Sequence, residues 1–110
     1  IKSIKGRRKV PKVSKGEPGE NFGLKPQMRR AIVSVISNFV EGYLKTSKKH
    51  KISFLEIANS SLLELEAQGE ICRILDYWKE EDYSLFDEKR GEVAFLLFRY
   101  RSAISKSVSV

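Results

Sequence analysis

A single cysteine, Cys72, rules out an internal disulfide. The one histidine, His50, stands among lysines, and one thiol plus one imidazole fall short of the usual ligand set of a zinc site. Cys72 falls on an apolar helix face, where a thiol packs as a small inert hydrophobe. No apolar run approaches the ~20 residues of a membrane span. No apolar stretch follows the basic start to form a secretory leader, and no GxGxxG, P-loop or GxSxG pattern occurs. The expectation is a cytoplasmic protein with no cofactor, no metal, no membrane partner and no catalytic residues. Glu41, Glu64 and Glu66 are the candidate interior acids, and they lack a nucleophile, base or metal ligand at a matching spacing, so structural pairing with Arg30 or Asn38 is expected of them.

What the chain does have is helical periodicity and an uneven charge. With 110 residues, 41% apolar and 32% charged, it suits one domain with one core. Residues 1–30 carry ten Lys and Arg against two Glu, while residues 31–110 carry eleven basic against twelve acidic residues. The net charge of +7 therefore comes from the front of the chain. Such basic arms meet nucleic acid or other polyanions, or serve as solubilising tails. Gly6, Pro11, Gly16, Pro18, Gly19 and Gly23 oppose a long helix there, so residues 1–24 read as a basic irregular arm.

A first helix is expected over about 26–44, with Pro26 in its first turn and Gly42 fraying its end. Met28, Ile32, Val35, Phe39 and Tyr43 form its apolar stripe, and Arg30, Ser34, Asn38 and Glu41 lie across from them. Small polar residues beside a core stripe imply tight packing on another helix. Ser47 is a candidate N-cap for a second helix over about 48–78. It carries two apolar rows: Ile52, Leu55, Ala58, Leu62, Leu65 and Cys72, and Phe54, Ile57, Ile71, Leu75 and Trp78, with Ser61 and Gln68 at polar steps. Two rows mean two buried faces. Gly69 costs roughly 1 kcal/mol against Ala unless a neighbouring backbone approaches closely. Glu80-Glu81-Asp82-Tyr83 reads as a loop, with Ser84 capping a third helix to about 105 through Leu85, Val93, Leu96, Leu97, Tyr100 and Ile104, flanked by Phe95 and Phe98. The domain is thus 25–105, with a frayed tail at 106–110. The fold class is all-α, an up-down antiparallel helical bundle.

Short loops make successive helices antiparallel. Lys45, Lys48, Lys49, Lys51, Arg99, Arg101 and Lys106 should then gather at one pole, and Glu80, Glu81, Asp82, Asp87 and Glu88 at the other, near Arg29 and Arg30. Lysines in a first helical turn oppose the macrodipole, which hints at an anion site or marks a solvated loop. The candidate nucleic-acid-binding residues are Arg7, Arg8, Lys9 and Lys12 in the arm, with Lys45, Lys48, Lys49, Lys51, Arg99 and Arg101 at the pole. The candidate oligomer interface is Phe54, Ile57, Ile71 and Leu75, a row that three helices of one chain cannot cover.

Several motif blocks carry a resemblance. Gln27-x-Arg-Arg-Ala31, Ser34-x-x-Ser-Asn38-x-x-Glu-Gly42 and Phe54-Leu-x-Ile-Ala58-x-Ser60-x-x-Glu-Leu-Glu66-x-Gln68, preceded by Phe22-Gly-Leu24, resemble the four-helix-bundle proteins encoded in 23S rRNA intervening sequences. The likeness spans about residues 20–104. Related bundles include the accessory variability determinant proteins of diversity-generating retroelements. The resemblance implies an up-down bundle assembled as a ring-like homopentamer, with no catalytic residues. This chain departs at Ile36, where Pro is usual, at Asn59, where Gly is usual, and at Gly69, where a large aliphatic residue is usual. Pro11 and Glu17 replace a Tyr and a Phe near the end of a first helix that is degraded or missing here. Two functions compete: an oligomer associated with RNA or DNA, and a protein-interaction scaffold or accessory subunit, for example to a reverse transcriptase or other polymerase-type partner.

Overall fold

The computed structural model describes residues 23–107, and they form three α-helices: α1 (Leu24–Leu44), α2 (Lys48–Ile74) and α3 (Glu80–Lys106). Among the described residues there is no strand, and the arrangement is an up-down antiparallel bundle. The irregular arm read over residues 1–24 falls outside the description as far as residue 22, as do residues 108–110 of the tail.

Helix α1 starts two residues earlier than expected. Gly23 takes a left-handed conformation (φ 70°) and its carbonyl accepts from Gln27 N–H at 3.2 Å. Pro26 still sits in the first turn, where a missing N–H costs nothing. Helix α2 begins as the sequence suggests, with Ser47 Oγ accepting from His50 N–H at 3.1 Å. It ends at Ile74, four residues short of the expected 78. Asp76 adopts φ 60°, Tyr77 N–H donates to Cys72 O at 2.9 Å, and Asp76 N–H donates to Arg73 O at 3.1 Å. This is a Schellman stop with Asp where Gly is usual, so no glycine announces it.

The start of α3 also differs. Glu80-Glu81-Asp82-Tyr83 is its first turn rather than a loop, and Ser84 lies inside the helix rather than capping it. Lys79 is the N-cap and makes no side-chain cap bond. Three carboxylates at a positive helix terminus replace the missing cap electrostatically. At the far end α3 runs through Lys106, one residue past the expected limit.

Helix α2 is the centre, and α1 and α3 each pack on it. The α2 row Leu55, Ala58, Leu62, Leu65 and Cys72 is buried as its periodicity predicts, and Leu55 is only 1% exposed. The α1 face is rotated from the expected stripe. Leu24, Ala31, Val35 and Gly42 are buried, Met28 and Phe39 are partly buried, and Ile32 and Tyr43 are exposed. The small residues lie toward α2: Ser34 Oγ and Ser61 Oγ are 2.7 Å apart, and Asn38 Nδ2 donates to Ser34 O at 2.8 Å. Gly42 does not fray the helix end. It is a contact point, since a Cβ there would stand 3.1 Å from both Lys51 O and Phe54 Cβ. Gln68 of α2 is buried as well, and its Oε1 has no hydrogen-bond partner among the described residues.

On α3 only Leu97 and Ile104 are buried, with Phe86, Ala94 and Tyr100 packed beside them. Leu85, Val93 and Leu96 of the expected stripe are exposed, as are Phe95 and Phe98. One neighbour covers one side of this helix, so a face drawn wide enough for two neighbours overstates what is buried.

Candidate nucleic-acid interface and uncovered apolar faces

Antiparallel packing brings the end of α1, the start of α2 and the end of α3 to one pole. The bond that pins this arrangement runs from Lys48 Nζ to Ser107 O, at 2.9 Å. Lys51 Nζ donates to Tyr43 O at 3.0 Å. Both lysines oppose the dipole of their own helix, yet each answers a free carbonyl at the C-terminus of a neighbouring helix. That structural role was not legible in the lysine run itself.

The other pole cations are placed as follows. Lys45 Nζ is 3.8 Å from Glu41 and lies 5.3 Å from the Phe54 ring centroid. Arg101 Nη2 is 2.6 Å from Glu56 Oε2 across the α2–α3 contact. Arg99 lies over Phe95, 5.8 Å from the ring centroid, on the outer side of α3. Lys49 is exposed in the first turn of α2. The rings of Phe39, Tyr43 and Tyr100 gather beneath this pole, with Phe39 and Tyr100 centroids 5.4 Å apart and Tyr43 and Tyr100 at 6.4 Å. The four arm residues Arg7, Arg8, Lys9 and Lys12 lie outside the described residues.

The opposite pole is held by side chains. Tyr83 O–H donates to Glu70 Oε2 at 3.0 Å, and Arg73 Nη2 donates to Glu70 Oε1 at 2.7 Å. Arg90, mostly covered, donates to Asp87 at 2.9 Å and is 3.9 Å from Glu66. Neither Arg30 nor Asn38 serves the acids as expected: Glu41 pairs with Lys45 and Glu66 with Arg90. Phe86 lies edge-on to Trp78, with centroids 5.0 Å apart, and its ring passes over Gly69. Gly69 is therefore accounted for by an aromatic ring, rather than the backbone approach the sequence left open.

Glu70 titrates below the usual carboxylate range because of its hydrogen bonds from Arg73 and Tyr83. A carboxylate held low in the folded state stabilises it above the unfolded value, near pH 4.3. That contribution is lost as pH falls through the folded value. Glu70→Gln should thus lower the melting temperature at pH 7, by a difference that shrinks as pH falls through the folded value of Glu70, as checked by thermal circular dichroism. Cys72 lies 4.0 Å from Met28 Sδ, and burial pushes its thiol up, away from nucleophilic use.

The proposed interface row is only partly open. Ile57, Ile71 and Leu75 are exposed, whereas Phe54 is half-buried against α1. Larger apolar exposure lies elsewhere, at Val33 and Ile36 on α1 and at Leu85, Phe95, Leu96 and Phe98 on α3. Among the described residues, no group of three or more His, Cys, Asp or Glu could hold a metal ion, and no helix is long and apolar enough to cross a membrane.

Residues 2–99 match the sequence pattern of the family described as 23S rRNA-intervening sequence protein. The chain belongs to that family. No curated protein matches it. In this 23S rRNA-intervening sequence protein the matched span includes all of α1 and α2 and most of α3.

Proposed function

We propose that the chain is a non-catalytic, oligomeric helical-bundle protein of the cytoplasm that associates with nucleic acid, RNA foremost, through its basic arm and basic pole. The observation that carries this reading is charge segregation. The arm, with seven basic against two acidic residues, supplies most of the positive excess of the whole sequence, and the Lys48–Ser107 bond supports a second cationic surface where three helix ends meet. Lys45 and Arg101 are partly neutralised by Glu41 and Glu56, so the arm with Lys48, Lys49 and Lys51 bears most of the phosphate contact. A non-catalytic role is favoured by the chemistry of the reactive groups: Glu41, Glu66 and Glu70 are paired with cations, and the Cys72 thiol is buried. Oligomerisation, as a pentamer by family likeness, is favoured by the apolar side chains that one chain leaves uncovered.

The test is a filter-retention titration with single-stranded RNA and duplex DNA against salt. Affinity should fall linearly on a log–log plot with a slope of ~0.7 to 0.9 per phosphate contact. Replacing Arg7, Arg8, Lys9 and Lys12 with Ala should flatten that slope and leave helicity unchanged. Replacing Lys48, Lys49 and Lys51 measures the share of the pole. Absence of retention at low salt overturns the nucleic-acid reading. A protein-interaction scaffold or accessory subunit to a polymerase then stands in its place, favoured by the exposed faces of α1 and α3.

A further inference from the structure

The outward sides of α1 and α3 carry complementary rows. On α1 the positions turned away from α2 are Arg29 and Arg30, then Val33, Ser37, Val40 and Leu44, all exposed. On α3 the corresponding row is Glu81, Leu85, Glu88, Glu92, Phe95 and Arg99, at steps of four and three residues, again all exposed. Val33 is 61% exposed and Phe95 57%. The first row is cationic at its N-terminal end and apolar beyond it. The second is anionic at its N-terminal end and apolar at Phe95.

The heights match as well. Ser34 is level with Ser61, which it touches. Ser61 lies midway along α2 between Glu56, paired with Arg101, and Glu66, paired with Arg90. Ser34 is therefore level with about Phe95, and Val33 is offset from it by only a residue or so, ~1.5 Å each. By the same register Arg29 and Arg30 stand between Glu88 and Glu92. Because α1 and α3 both run antiparallel to α2, they are parallel to each other. A second copy can be set beside the first, α1 against α3, with the helix axes parallel and no sliding along them.

The geometry points to the outer face of α1 docking on the outer face of α3 of a second copy of this chain, with Arg29 and Arg30 against Glu88 and Glu92 and Val33 against Phe95. The contact is heterologous, because two different faces of one subunit take part. Repeated without axial shift about an axis parallel to the helices, it places all basic poles on one side. Glu92 also lies 3.8 Å from Lys89 within its own chain, an exposed pairing that the intersubunit contact would compete with. The inference rests on the oligomeric part of the proposed function and specifies which surfaces meet.

Nuclease-treated protein is measured by sedimentation velocity over a concentration series. R29E/R30E and E88R/E92R should each raise the assembly midpoint by about tenfold or more, since like charges then face each other. Helicity should persist, because all four side chains are exposed. The quadruple variant should return to within about threefold of the parent chain, and mixing the two double variants should restore association in trans. If neither reversal changes assembly while Ile57→Asp dissociates it, the α2 row is the interface: this inference fails and the oligomeric reading survives. A parent chain that is monomeric at micromolar concentration overturns both.

Discussion

A chain carrying Leu62→Asp is expected to lose its cooperative thermal transition. Leu62 is buried in the α2 row that contacts the core of the bundle, beside Leu55, Ala58 and Leu65. The substitution removes the side-chain burial of a leucine, ~1.5 to 3 kcal/mol, and places a carboxylate in the same apolar cluster at a cost of several kcal/mol more. A domain of this size has ~5 to 15 kcal/mol to lose, and among the described residues only one large side chain, Leu55, is fully buried. Circular dichroism at 222 nm against temperature checks the prediction. A sigmoidal melt within a few degrees of the parent would show that Leu62 does not carry the core.

Gly69→Val is the second large effect. Alone, any residue but proline at a helix interior should improve on glycine, by up to about 1 kcal/mol for alanine. At this position a Cβ would overlap Phe86 Cε2 and stand 2.9 Å from Cζ, closer than real Cβ atoms come. Phe86 is wedged against Trp78, with Tyr83 at 6.3 Å between centroids, so its ring has little room to retreat. The valine variant should melt lower by the equivalent of ~1 to 3 kcal/mol, the usual cost of overpacking. Adding Phe86→Leu should recover part of that loss, whereas Phe86→Leu alone should destabilise. Urea denaturation of the four chains gives the coupling directly. Additive effects would place the ring elsewhere.

These two positions also show where sequence reasoning holds and where it stops. The α2 row was legible because a 3.6-residue repeat of Leu and Ala reports its own burial. The Ser47 cap was legible because a serine before a helical pattern has one obvious donor to satisfy. The role of Gly69 was not, because the atom that explains it belongs to Phe86, on the next helix. The end of α2 was missed for a different reason: Asp76 takes the left-handed conformation usually signalled by glycine, and the apolar pattern continues through Leu75 and Trp78 regardless. The start of α3 was misread because Glu80, Glu81 and Asp82 look like a polar loop, though they suit the positive end of a helix. The stripe of α1 was read off its large side chains. The contact keeps Met28, Val35 and Phe39 of that stripe and adds small ones, Ala31, Ser34 and Gly42, which let two backbones draw together.

At the candidate site, the gathering of lysines followed from antiparallel connectivity and required no coordinates. Their partners did not follow. Lys48 and Lys51 reach carbonyls that exist only once the neighbouring helices end beside them. Charge counts see seven cations at a pole, and the structure separates those that finish other helices from Lys49, which stands exposed in the first turn of α2.

The central position of α2 has a kinetic consequence. α1 and α3 each pack on α2, and the ring contacts between them are those of Tyr100 with Phe39 and Tyr43. Contacts between sequence neighbours dominate, which favours rapid folding. Two helical hairpins share one member, so either can nucleate and the other add to it. Substitutions confined to the α1–α2 seam should slow only the route that begins there, and the molecule can reach its native state through the other.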